Sequence, residues 1–61
     1  MHRLRILNLS FNKIYVIEKF KNVIYLEELN LEGNFIEVIE NLEGILSLHT
    51  LNLAKNKIQN I

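Results

Sequence analysis

The chain contains no cysteine, which excludes disulfides and thiolate metal centres as supports for the fold and points to an intracellular setting, cytoplasm or nucleus. Aspartate is absent too, which narrows the choice of catalytic carboxylates and metal ligands. Net charge is also missing, since seven Lys and Arg balance seven Glu. The bulk attraction that draws proteins to nucleic acid or anionic membranes is therefore lacking. No stretch approaches the ~18 apolar residues of a membrane span. The opening MHRLRILNLSF has too short an apolar run, and no small-residue cleavage site, for a secretory signal. Glycine occurs only at Gly33 and Gly44, as isolated turn residues and not as a phosphate-cradling loop.

What remains is 61 residues that are 49% apolar and 23% charged, the composition of a folded chain with room for one small domain, residues 1–61. Self-comparison organises it. LRILNLSFNKI from Leu4, LEELNLEGNFI from Leu26 and LHTLNLAKNKI from Leu48 align without a gap, each 22 residues after the last. Met1, Val23 and Ile45 share a column, Ile17, Ile39 and Ile61 another, and Phe20 pairs with Leu42. The repeats are 1–22, 23–44 and a partial 45–61. At 3.6 residues per turn the apolar columns spread around nearly the whole circle, so one amphipathic helix per repeat fails.

From Ile14 the apolar residues recur every third position through Ile17, Phe20, Val23 and Leu26 to Leu29, matching the 3₁₀ period better than the α period. The step then shortens to two: Leu7 and Leu9 flank Asn8, Leu29 and Leu31 flank Asn30, and Leu51 and Leu53 flank Asn52. That alternation predicts strands over 6–10, 28–32 and 50–54, running parallel, with tight returns and right-handed crossovers. Asn12, Asn34 and Asn56 fall where the pattern points inward. An uncharged amide there can bond backbone groups of its own and neighbouring repeats, where the chain bends out of the sheet.

L-x-x-L-x-L-x-x-N-x-I, repeated every 22 residues with a trailing I-x-x-L, resembles the leucine-rich repeat. The second isoleucine, in Ile14/Ile17 and Ile36/Ile39, resembles the 22-residue class typified by a nuclear regulatory subunit of protein phosphatase 1. The resemblance implies an α/β horseshoe fragment, a curved solenoid with its parallel sheet on a concave face and 3₁₀ or irregular turns on a convex face. It implies protein binding and no shared catalytic residue. Family members close their arrays with caps, whereas here core columns begin at residue 1 and stop mid-repeat, so a fragment is expected.

The alternation places Ile6, Asn8 and Ser10, then Glu28, Asn30 and Glu32, then Thr50, Asn52 and Ala54 on the implied concave face, as the candidate partner-binding set. Asn12, Asn34 and Asn56 are the structural set. The bland alternative for the central column of Asn8, Asn30 and Asn52 is that the amides bond among themselves. Charge sorts by repeat. Arg3, Arg5, Lys13, Lys19 and Lys21 face Glu18 alone in the first, six glutamates stand unopposed in the second, and Lys55 and Lys57 occur in the third. Column neighbours predict pairs between Arg5 and Glu27, His49 and Glu27, and Lys21 and Glu43, each contributing about 0–1 kcal/mol. Glu28 and Glu32 have no base in their columns, which suggests an acidic docking patch for a basic segment. Apolar residues outside the columns, Phe11, Tyr15, Val16, Ile24, Tyr25, Phe35, Val38 and Leu46 among them, either thicken the core or meet flanking repeats, with the alternative that Ile6 and Phe11 anchor a partner beside the strand edge.

Catalysis finds no support, because His2 and His49 stand about two repeats apart and no nucleophile motif surrounds Ser10, Ser47 or Thr50. No cofactor or metal is implied. The leading expectation is a non-enzymatic module holding another protein in its concave face. The alternatives are a purely architectural segment of a larger enzyme or of a cytoskeletal or ciliary protein, and a ribonucleoprotein-associated module, which the acidic central repeat disfavours. Unpaired strand edges add end-to-end self-association.

Overall fold

The computed structural model describes residues 4–18 and 25–59. The expectations for Met1, His2, Arg3, Lys19, Phe20, Lys21, Val23, Ile24 and Ile61 lie outside the described residues.

Three short strands form where leucine alternates with polar residues: β1 (Ile6–Asn8), β2 (Glu28–Asn30) and β3 (Thr50–Asn52). They make one parallel sheet in the order β1-β2-β3. Register follows the 22-residue offset: Ile6, Glu28 and Thr50 align, then Leu7, Leu29 and Leu51, then Asn8, Asn30 and Asn52. Each strand starts where the alternation does and ends two residues early. The cause is the central asparagine, whose Oδ1 accepts the backbone N–H two residues on, Ser10 N at 2.9 Å, Glu32 N at 3.0 Å and Ala54 N at 3.0 Å. This side-chain turn draws the chain out of the extended path. Contact between neighbours continues beyond it, with Leu9 N–H donating to Asn30 O at 2.8 Å and Phe11 N–H to Glu32 O at 2.7 Å.

The expectation of an α/β horseshoe, or of any curved solenoid, is overturned. The sheet is flat, and the described residues between the strands contain neither α-helix nor 3₁₀-helix, only turns, bends, irregular backbone and an isolated bridge at Val38. Repeat arrays curve when their far side is wider than the sheet side. A helix there occupies ~10 Å against the ~4.8 Å between strands. Here the returns are themselves joined by backbone bonds, Phe35 N to Ile14 O at 2.8 Å, Lys57 N to Ile36 O at 3.0 Å and Gln59 N to Glu37 O at 2.9 Å. Both sides of the stack therefore advance by a strand-like step, and nothing bends the sheet.

Burial follows position in the stack. Leu26, Leu29, Leu31 and Ile36 of the middle repeat are at most 2% exposed, and Ile17 and Ile45 complete the buried core. Leu4, Leu7, Leu9 and Ile14 before it, and Leu48, Leu53 and Ile58 after it, are half-buried against that core. The apolar residues outside the columns do not thicken the core: Phe11, Tyr15, Val16, Tyr25, Phe35, Val38 and Leu46 are all exposed.

Candidate functional site: the open face of the sheet

Period-two alternation sends Leu7, Leu29 and Leu51 to one side of the sheet, leaving Ile6, Asn8, Glu28, Asn30, Thr50 and Asn52 along the other. These six, with Leu7 and Leu29, line a shallow recess of about 250 Å³. Ile6, Asn8, Glu28 and Thr50 are exposed, and Asn30 and Asn52 are half-buried. Ser10, Glu32 and Ala54 sit just past the strands, in the turns. The recess lies between side chains on a flat sheet. The expected concave binding face does not exist, and a partner held by enclosure is excluded with it.

The three central amides do not bond one another. Each spends its carbonyl on its own turn, and Ser10 Oγ adds a second donor to Asn8 Oδ1 at 2.6 Å. Asn52 Nδ2 donates to Glu32 Oε1 at 3.4 Å. The NH₂ groups of Asn8 and Asn30 make no hydrogen bond among the described residues, so two donors stand free on the face.

Electrostatics divide the acids of the middle repeat. Arg5 Nε donates to Glu27 Oε2 at 3.3 Å and an Arg5 terminal nitrogen to Glu27 Oε1 at 3.2 Å, while His49 Nε2 lies 3.9 Å from that Oε1. The hydrogen bonds from Arg5 hold the Glu27 carboxyl below its ordinary pKa, and the same bonds raise that of Arg5. One residue further on, Glu28 has no ion pair among the described residues, and neither has Glu32.

The inward amides knit the repeats together. Asn34 Nδ2 donates to Leu31 O at 2.8 Å in its own repeat and to Leu9 O at 3.1 Å in the one before, and its Oδ1 accepts Ile14 N–H at 3.1 Å. Asn56 does the same one repeat on, bonding Leu53 O, Leu31 O and Ile36 N–H. Among the described residues Asn12 bonds only its own repeat, at Leu9 O and Ser10 O. Two further ties escaped sequence reasoning. Asn41 Nδ2 donates to Ile17 O at 2.7 Å and Ser47 Oγ to Leu26 O at 2.6 Å. The available signal was weak: polar residues with a short reach inside an otherwise apolar return.

A second column carries backbone strain. Phe11, Gly33 and Lys55 share the position before the inward asparagine, and all adopt left-handed backbone, at φ 55°, 72° and 57°. Only Gly33 does so without steric cost. The bare Gly33 backbone receives the Phe11 ring, which would collide with a Cβ placed there. Lys55 Nζ lies 6.0 Å from that ring's centre, and Tyr15 stacks on Phe35 at 5.4 Å between centroids.

Among the described residues no three His or Glu side chains come together to hold a metal ion, and no helix is long and apolar enough to cross a membrane. The sequence matches the family model described as "Leucine rich repeat" over residues 2–58. No curated protein and no solved structure matches.

Proposed function

The chain belongs to the leucine-rich repeat family, and on that premise we propose that it is a non-catalytic module that docks a basic segment of another protein across the flat, open face of its sheet. The observation that carries the reading is the contrast within one repeat: Glu27 is paired with Arg5, with His49 near it, while Glu28 and Glu32 form no ion pair among the described residues. Beside them stand the free NH₂ donors of Asn8 and Asn30, which suit backbone carbonyls of a peptide, and the side chain of Ile6, which is 62% exposed. A lysine- or arginine-bearing extended segment satisfies all three at once. The Ile14/Ile17 and Ile36/Ile39 spacing supports the narrower kinship with the 22-residue class of the phosphatase regulatory subunit.

Titration with a short peptide alternating lysine and leucine tests this. Binding is expected to the unmodified chain, to weaken as salt rises, and to vanish in the Glu28→Lys/Glu32→Lys variant with its circular dichroism unchanged. Equal affinity in the folded double variant contradicts the reading.

A further inference from the structure

Past each strand the chain turns, and the inward amide column of Asn34 divides residues that face solvent. Aromatic rings gather at this corner, over the middle repeat. The Phe11 ring lies against the bare Gly33 backbone, and Tyr15 stacks on Phe35 with 21° between the ring planes. Both first-repeat rings therefore lean over second-repeat residues, yet Phe11 stays 66% and Tyr15 67% exposed. Neither belongs to the buried core. Phe11 is also held at φ 55°, a backbone that glycine or asparagine adopts at less cost. An exposed aromatic kept in strained backbone serves no packing need, and such strain marks a use at the surface.

Cations frame the rings. Lys13 and Lys57 are the column neighbours of Phe35 at the 22-residue offset, and Lys55 Nζ lies 6.0 Å from the centre of the Phe11 ring. All three lysines are exposed and form no ion pair among the described residues. In the columns of Phe11, Lys13 and Tyr15, Glu37 is the one acid against them. The corner is thus basic and aromatic, whereas the open face of the sheet carries Glu28.

We propose that this corner docks an acidic segment of another protein, with an apolar or aromatic side chain laid on the open face of the Phe11 ring and flanking carboxylates reaching Lys13, Lys55 and Lys57. Charge complementarity selects that occupant. Phosphates of a single-stranded nucleic acid would suit the lysines and bases would suit the rings, but a long polyanion also meets the rest of the chain, whose net charge is zero and whose middle repeat is acidic. A short acidic segment meets the corner alone. The open face and the corner then hold segments of opposite charge, and neither site depends on the other.

Titration of the 61-residue chain with an end-blocked peptide bearing one phenylalanine between two pairs of glutamates tests the proposal, with circular dichroism as the folding control. Binding is expected, and it should weaken as salt rises. Phe11→Asn places a residue that tolerates left-handed backbone, so the fold should persist while affinity falls by about tenfold or more, the effect of losing an aromatic anchor. Lys13→Glu/Lys57→Glu should lose binding with unchanged circular dichroism. Absence of binding to the unmodified chain overturns the proposal, as does equal affinity in either folded variant. So does tighter binding of oligothymidylate that the same variants abolish, which would assign the corner to single-stranded nucleic acid.

Discussion

Asn34 is 3% exposed and serves backbone groups of two repeats. Replacing it with leucine strands Ile14 N–H and the carbonyls it serves, at about 1–3 kcal/mol for a buried group left unpaired. Asn56→Leu should cost less, because that site is half-buried, and Asn12→Leu least, because Asn12 is exposed and among the described residues bonds only within its own repeat. Urea midpoints in the order Asn34→Leu, Asn56→Leu, Asn12→Leu, lowest first, check this. The left-handed column gives a second prediction. Gly33→Ala should destabilise by roughly 1–2 kcal/mol through its positive φ, with Phe11 swinging aside since its ring is exposed. Lys55→Asn, a residue that tolerates this conformation, should raise the melting temperature. The inward amides were legible in the sequence because polar residues broke an apolar column. The strain at Phe11 and Lys55 was not, because only Gly33 announces such a backbone and its two column mates do not resemble it.

Strand starts and register were legible because a gap-free 22-residue period leaves one in-phase alignment of Leu7, Leu29 and Leu51. Strand ends were not, because Asn8, Asn30 and Asn52 each act as turn-forming side chains inside what reads as continued alternation. Curvature was illegible for a different reason. A three-residue apolar spacing such as Ile14/Ile17 fits a 3₁₀ turn and an irregular return alike, and only the width of the return decides whether the stack bends. Across the strand starts, the Arg5–Glu27 pair carries a pH dependence. The folded-state pKa of Glu27 is lowered, so its contribution to stability is complete above the ordinary carboxylate pKa and is lost as pH falls through the lowered value. Thermal melts in acid should show the midpoint of Glu27→Gln falling less steeply than that of the unmodified chain over that window. Identical acid slopes would remove Glu27 from the account.

At the scale of the whole molecule, the middle repeat is covered on both sides by its neighbours and holds Leu26, Leu29, Leu31 and Ile36 of the buried core. Its six glutamates give the stack an acidic centre with cationic residues in the repeats on either side, and its sheet offers a flat platform. Stability and partner docking both rest on one claim: that successive repeats are bonded in register through the same backbone and asparagine contacts. Residue-resolved amide hydrogen exchange, at a dilution where the chain sediments as a single copy, tests that claim most directly. It predicts protected amides at Leu9, Ile14, Leu31, Gly33 and Ile36, each bonded to the following repeat, and rapid exchange at their column mates Leu53, Lys55 and Ile58. Protection at Leu53 and Ile58 equal to that at Leu31 and Ile36 in the single copy would contradict it.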